Sequence, residues 1–104
     1  MHVETKFLIP LKEDSSFGGE KHPYTRWQKL QTDLFIMFEG WTVSSANYRG
    51  VYKDPDSGEM VSDESVQYMV TLDEKKVPEL RDYLRDHVSV AFRQKAYIFT
   101  MEFQ

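Results

Sequence analysis

The sequence contains no cysteine. Disulfide bonds, catalytic thiolates, and zinc or iron–sulfur sites built on cysteine are therefore excluded. Nothing in this composition requires an oxidising compartment, so we expect a cytoplasmic protein.

Long apolar runs are also absent. No stretch approaches the roughly 20 apolar residues of a membrane-spanning helix. A secretory signal needs an apolar N-terminal core, and here the polar residues His2, Glu4 and Lys6 interrupt that segment. We therefore expect no membrane partner.

The chain also lacks an excess of basic residues. The chain has 13 Lys and Arg against 17 Asp and Glu, giving a net charge of −4, and the basic residues are scattered along it. Nucleic-acid binding normally requires a basic face. We therefore expect no nucleic-acid partner.

The chain does contain enough apolar material for one packed domain. Its 104 residues are 40% hydrophobic and 14% aromatic, which argues against disorder. A chain of this length corresponds to one domain, and we expect residues 1–104 to form a single one.

One stretch, Trp41–Leu72, predicts a long antiparallel hairpin. Trp41–Lys53 and Met60–Leu72 form its two arms, and Asp54–Gly58 has the composition of a turn. Gly50 inside the first arm indicates a bulge or a close backbone approach.

The segments on either side of this hairpin match one another. His2–Pro10 and Lys95–Phe103 alternate as strands do, while Thr25–Glu39 and Val77–Val88 carry apolar residues at helical spacing. The alternative for the second helix is an extension to Phe92, which the β-branched Val88 and Val90 disfavour. Between the first strand and the first helix, Leu11–Tyr24 has no period and predicts a long loop.

Details at the helix ends support these assignments. Thr25 and Gln28 have the spacing of a capping box, and Gly40 lies where a helix ends with positive φ. Pro78 fits the first turn of the second helix. Phe35 and Ile36 widen the apolar surface of the first helix, which indicates either a subunit contact or a wide core.

The element order β-α-β-β-α-β predicts an α+β, ferredoxin-like fold. Right-handed crossovers place the first and third strands in the centre of a four-stranded antiparallel sheet, with both helices on one face. The other face then carries a half-apolar set of side chains: Lys6, Leu8, Gln67, Met69, Ile98 and Thr100. Such a face favours a homo-oligomer, a dimer or a trimer.

The long loop carries the first candidate ligand site. Gly18 and Gly19 allow backbone N–H groups to approach a ligand, and Lys21 and His22 follow just before the first helix. A helix N-terminus favours anions, so this loop is a candidate site for a small anionic ligand. The alternative is a mobile surface loop, because no nucleotide-binding motif is complete.

The first arm of the hairpin carries the second candidate ligand site. Tyr48, Arg49 and Tyr52 lie close together in sequence, with Tyr68 on the returning arm. An arginine with tyrosines can clamp an aromatic or anionic ligand. Cross-strand aromatic packing explains the tyrosines equally well.

Evidence for catalysis or metal binding is weaker. His87 beside Asp86 is a candidate general base, with Tyr68 as a second catalytic candidate, although a satisfied structural histidine is the alternative. The acidic residues of the hairpin end lack EF-hand spacing, and the three histidines have no metal-binding spacing. We expect neither a metal nor a cofactor. The acidic residues are Asp54, Asp56, Glu59, Asp63 and Glu64.

Four features together resemble the layout of CutA-type and PII-like small trimeric proteins. They are the arm Asn47–Tyr52, the acidic turn, the returning strand through Met69–Leu72, and the helix start Val77–Arg81. The resemblance implies oligomerisation and sensing of a small ligand or metal ion between subunits. The family's cysteine is missing, and a His-Pro-Tyr segment precedes the first helix instead of following the second, so no functional residue is carried over. An uncharacterised ferredoxin-like family is the alternative.

These observations predict a homo-oligomeric protein that binds a small ligand or a protein partner without catalysis. The ligand is expected at a subunit cleft near Tyr48, Arg49 and the Gly18–Gly19 loop. The first alternative is a small enzyme of the dimeric α+β barrel kind, with a pocket between sheet and helices. The second is an interaction module that pairs through its edge strand.

Overall fold

The computed structural model describes residues 1–14, 17–44, 47–94 and 98–103, with side chains described through residue 94. Within these ranges, five strands form one antiparallel sheet: β1 (His2–Pro10), β2 (Thr42–Val43), β3 (Tyr48–Lys53), β4 (Met60–Asp73) and β5 (Ile98–Phe103). Their order is β2-β4-β1-β5, and β3 pairs with the other end of β4 on the same side as β2. The predicted ferredoxin-like arrangement is confirmed, with β1 and β4 in the centre.

The alternation of β1 decides which face of the sheet holds the core. Val3, Phe7 and Ile9 are at most 2% exposed. Thr5 lies in the same row and is buried, with its hydroxyl donating to the Val70 carbonyl at 2.7 Å. Because strand side chains alternate between faces, Lys6 lies on the opposite face, where it is half-buried.

The first arm of the hairpin divides into two short strands. β2 pairs with Tyr68 and Met69, whereas β3 pairs with the segment Met60–Ser65. The bulge or close approach predicted at Gly50 is wrong, because Gly50 pairs in regular register with Asp63 and a side chain there would meet no atom within 4 Å. The interruption falls instead between β2 and β3.

Helix α1 spans Tyr24–Phe38 and follows Pro23, whose extended backbone forms its N-cap. The capping box predicted at Thr25 is wrong, because the helix begins one residue earlier and Thr25 lies inside its first turn. The helix also ends one residue early. Glu39 adopts the left-handed conformation predicted for Gly40, with φ of 70°, and its N–H donates to the Phe35 carbonyl at 2.9 Å.

The second helical segment continues past Val88 to Ala91, close to the alternative end at Phe92. A 3-10 turn, Glu74–Lys76, leads into α2 (Val77–Tyr83), a π-helical stretch (Leu84–Val88) and α3 (Ser89–Ala91). Pro78 lies in the first turn of α2, as predicted. The predicted apolar stripe is buried: Val77, Leu80, Leu84 and Val88.

Among the side chains that the structure describes, one face of the sheet and one side of α1 are left partly open to solvent. The open face of the sheet carries the half-buried side chains Lys6, Leu8, Gln67 and Met69. On α1, Phe35 and Ile36 are 63% and 71% exposed, so they are not part of a wide core. The predicted strand start at Lys95 and the side chains of Ile98 and Thr100 lie outside the described residues.

Candidate functional site

The loop between β1 and α1 folds back on itself. The Glu13 N–H donates to the Glu20 carbonyl at 2.8 Å, and the His22 N–H donates to the Leu11 carbonyl at 3.3 Å. Gly18 and Gly19 both have positive φ, which allows the chain to reverse. The Gly19 N–H donates to the Asp14 carbonyl within the loop, so it does not point towards a ligand.

A buried carboxylate anchors this loop to α1 and to the turn that follows α3. The Glu13 side chain is 5% exposed, and its Oε2 lies 2.9 Å from Nη1 of Arg26 and 3.3 Å from Nε of Arg93. The hydrogen bond from Arg26 lowers the pKa of Glu13, against the opposing effect of burial. A buried charge is stable only when it is paired in this way, so Glu13 holds the loop in place.

His22, a predicted ligand residue, belongs to the same network. Its Nε2 donates to the Pro10 carbonyl at 3.0 Å, and its Nδ1 accepts from Nη1 of Arg26 at 3.1 Å. The ring packs edge-on against Trp27 and Phe92. Burial and the Arg26 charge lower the pKa of His22. The imidazole is therefore a neutral structural group turned away from the glycine loop's surface.

The hairpin arm reaches this loop through Tyr52. The Tyr52 hydroxyl donates a long hydrogen bond of 3.5 Å to Oδ1 of Asp14. Partial burial and the charges of Asp14 and Asp63 raise the pKa of Tyr52, and partial burial also raises the pKa of Asp63. Within one chain the structure thus brings Tyr52 of the arm next to Asp14 of the loop, with carboxylates around this junction.

Arg49 and the two arm tyrosines do not converge within one subunit. Strand alternation places Tyr48 and Tyr52 on one face of the ribbon and Arg49 on the other. Arg49 is 77% exposed and pairs with Glu64 at 3.0 Å. A clamp made of all three side chains would therefore require a second subunit.

Tyr68, a predicted catalytic candidate, lies in the core. It is 1% exposed, its ring stacks on Phe7 and Trp27, and its hydroxyl accepts from Nε2 of Gln31 at 2.9 Å. Burial raises the pKa of its phenol. These contacts describe a structural side chain.

His87, the other catalytic candidate, is exposed beside an open groove of about 320 Å³ between α1 and the second helical segment. Its ring lies 5.6 Å from the ring of Tyr83. The groove lies between helices, not between sheet and helices, and in the described part of the chain Tyr68 does not line it. The two catalytic candidates are therefore not brought together.

The acidic turn is closed by hydrogen bonds of its own. The Asp54 carboxylate accepts from the backbone N–H groups of Asp56 and Ser57 and from the Ser57 hydroxyl. Across residues 1–14, 17–44, 47–94 and 98–103, no three His, Asp or Glu side chains are arranged to hold a metal ion. Within the same ranges, no helix is long and apolar enough to cross a membrane.

The network around Glu13 is the feature that sequence reasoning missed. Arg26 follows His22 at a spacing of four residues, which is the one local signal available. Glu13 and Arg93 come from distant segments, and no periodicity connects them to the helix start.

No known family model matches this sequence, and no curated protein matches it. Solved structures do share its fold. A phage SAM lyase in complex with S-methyl-5'-thioadenosine has a TM-score of 0.68 at 15% identity, covering 97% of this chain and 80% of that chain.

CutA proteins match as well. The divalent cation tolerance protein CutA1 of Thermus thermophilus has a TM-score of 0.66 at 10% identity, covering 100% of this chain and 84% of its own. The periplasmic CutA of Archaeoglobus fulgidus has a TM-score of 0.67 at 9% identity with the same two coverages. At these identities the likeness concerns the fold. The predicted resemblance to CutA and PII-like proteins is therefore confirmed as a shared CutA-type, ferredoxin-like fold.

Proposed function

We propose that this chain is a homo-oligomeric protein that binds a small ligand without catalysis, at a cleft between its hairpin arm and the Gly18–Gly19 loop. The arm is defined here as β3 together with the segment Met60–Ser65 of β4. The observation that carries the proposal is that all six residues of β3 are exposed in the single chain.

The arm extends beyond the body of the sheet. β1 pairs with β4 only from Ser65 onwards, so Met60–Glu64 has β3 as its one strand partner among the described residues. A two-stranded ribbon is marginally stable in water unless other parts of the protein cover it. Val51 and Met60 are nevertheless 61% and 81% exposed. A second copy covering the arm would bury this apolar surface.

The junction of arm and loop favours a ligand with both aromatic and cationic character. Tyr48 and Tyr52 share one face of the ribbon, and Asp14 and Asp63 supply negative charge close to Tyr52. Aromatic rings bind flat ligands and cations. An adenosyl sulfonium such as S-adenosylmethionine combines the two, and a protein of the same fold is a SAM lyase.

The predicted anionic ligand remains the alternative. Lys21 is exposed, and Arg49 can leave its surface pair with Glu64 at small cost. An anion would bind at these two cations and away from Asp14 and Asp63. The two ligand classes therefore depend on different side chains.

The test is a set of calorimetric titrations of the purified chain. The probes are S-adenosylmethionine, S-methyl-5'-thioadenosine, inorganic phosphate and Mn²⁺. We expect S-adenosylmethionine to bind, and Tyr52→Ala to weaken it about tenfold, the scale of a cation–aromatic contact. Tyr24→Ala removes another exposed tyrosine, 73% exposed and outside the arm, and should leave affinity unchanged.

Three results would count against this assignment. Failure of all four probes to bind would contradict the ligand class. Phosphate binding that Arg49→Ala weakens by about 1–3 kcal/mol would replace it with the anionic alternative. Conversion of S-adenosylmethionine to products, followed by chromatography, would contradict binding without catalysis.

The exposed edge of the arm favours the interaction module as a second candidate. Among the described residues, no strand pairs with the outer edge of β3. An unpaired edge is a template for an added strand. A stable monomer that binds none of the four probes would favour this candidate.

A further inference from the structure

We propose that the groove between α1 and the second helical segment is a second binding site, for a small monocarboxylate with an apolar body. The groove has a volume of about 320 Å³, which falls within the range of small-molecule pockets. It lies on the helical side of the sheet, apart from the hairpin arm, so it is independent of the function proposed above.

The two walls of the groove run antiparallel. Trp27 packs on Phe92 with ring centroids 4.8 Å apart, and Asp33 accepts a hydrogen bond of 2.8 Å from the Tyr83 hydroxyl. These contacts fix the two ends of the groove. On α1, Lys29 lies between Trp27 and Asp33, and on the opposite wall His87 lies between Tyr83 and Phe92, so both line the middle part of the groove.

The floor of the groove is apolar. Leu30, Val88 and Phe92 are between 1% and 6% exposed, and Ala91 lies beside them on the rim. A hydrocarbon or phenyl group placed there would remove apolar surface from water at both ligand and floor. The floor therefore selects a ligand with an apolar body.

The charges along the groove select the other end of the ligand. Asp33 supplies a carboxylate, but this group already accepts a hydrogen bond from the Tyr83 hydroxyl. It also accepts from Nζ of Lys29, which lies 3.0 Å from each of its two oxygens. Lys29 has three ammonium donors and uses two in these contacts. It is 75% exposed, so its third donor can reach a ligand.

Two further groups make the groove attractive to an anion. Arg26 lines it with a second positive charge, although its Nη1 is also paired with the Glu13 carboxylate 2.9 Å away. The exposed His87 ring can donate a hydrogen bond into the groove. Because the Asp33 oxygens already accept from Tyr83 and Lys29, whereas Lys29 and His87 can still donate, a ligand carboxylate is favoured over an ammonium group.

The test compares three probes that share one apolar body. They are 3-phenylpropanoate, 3-phenylpropanol and 3-phenylpropylammonium, each titrated into the isotopically labelled full chain and followed by amide NMR shifts. We expect the carboxylate to produce saturating shifts at Lys29, Val88 and Ala91. The alcohol should bind about tenfold more weakly, because it lacks a charge-assisted hydrogen bond, and the ammonium more weakly still.

Two pairs of variants locate the site. Lys29→Gln should weaken the carboxylate about tenfold, whereas Lys76→Gln, which removes another exposed lysine outside the groove, should have no effect. Ala91→Trp fills the groove and should abolish binding. Val90→Trp places the same ring on a neighbouring residue that is 69% exposed and does not line the groove, and should retain binding.

The proposal would be overturned by equal binding of the ammonium and the carboxylate. It would also be overturned if the Ala91→Trp variant bound 3-phenylpropanoate as tightly as the parent chain. The same holds if the NMR shift changes were scattered over the surface instead of falling on the two walls of the groove. None of these outcomes depends on the hairpin arm, so they do not bear on the assembly or on its ligand.

Discussion

Substitution of Tyr68 separates a structural role from a catalytic one. The side chain is 1% exposed, and three aromatic rings surround it: Phe7 at 5.8 Å, Trp27 at 6.2 Å and Trp41 at 5.9 Å between centroids. Its hydroxyl accepts one hydrogen bond from Gln31. We expect substitutions here to change the free energy of unfolding and to leave ligand binding unchanged.

Two substitutions divide this contribution into its parts. Tyr68→Phe removes the hydroxyl alone, and the half-buried Gln31 can turn to water, so the free energy of unfolding should fall by about 0.5–1.5 kcal/mol. Tyr68→Ala removes the ring and leaves a cavity among its neighbours, which should cost about 3–5 kcal/mol. A domain of this size has a total stability of roughly 5–15 kcal/mol, so the alanine variant should be only marginally folded.

The assay is urea unfolding followed by tryptophan fluorescence. Trp27 and Trp41 both lie beside Tyr68, so they report on the affected part of the core. Protein concentration must be held fixed, because assembly makes apparent stability depend on it. Tyr24→Ala, at an exposed position, should stay within about 0.5 kcal/mol of the parent chain.

The reasoning would be refuted by either of two results. A Tyr68→Ala variant that loses less than about 1 kcal/mol would show that the ring does not carry the packing assigned to it. A Tyr68→Phe variant with unchanged stability and abolished ligand binding would assign the hydroxyl a chemical role.

Three further predictions test local features. Glu39→Gly should raise the free energy of unfolding by about 1 kcal/mol, because glycine adopts positive φ without strain, while Gly40→Ala should leave it unchanged; urea midpoints compare the two. Leu34→Ala, at a fully buried position, should lower the free energy of unfolding by about 2–5 kcal/mol in the same assay. The lowered pKa of His22 means that below about pH 6.5 the unfolded chain binds a proton that the folded chain does not. The free energy of unfolding should therefore fall on acidification until the folded pKa is reached, with a shallower slope for His22→Gln in urea titrations from about pH 7 to about pH 5.

The periodicity of the sequence predicted the core because burial follows it directly. In β1, alternate residues from Val3 to Ile9 are the ones that face the helices, and Leu30 and Leu34 follow the helical repeat of α1. Element ends were less predictable. Whether Glu39 or Gly40 takes positive φ depends on where the last helical hydrogen bond forms, a choice between neighbours that propensity resolves poorly.

The candidate site at a subunit cleft stays a prediction. Within one chain, Tyr52 of the arm contacts Asp14 of the loop, a contact that the sequence did not indicate. The predicted clamp of Arg49 with two tyrosines did not take strand alternation into account. Alternation places odd and even positions of β3 on opposite faces. The network around Glu13 could not have been predicted, because its members meet only through the tertiary fold.

The central claim is that the exposed arm is covered by a second copy of the chain. Its most direct measurement is the mass of the purified protein in solution, by light scattering coupled to size exclusion and by native mass spectrometry. The account predicts two or three subunits at micromolar concentration, reduced to one by Val51→Asp on the arm. The mass should be unchanged by Lys76→Asp, an exposed position outside both the arm and α1. A parent chain that remains a single subunit throughout the concentration range would contradict it.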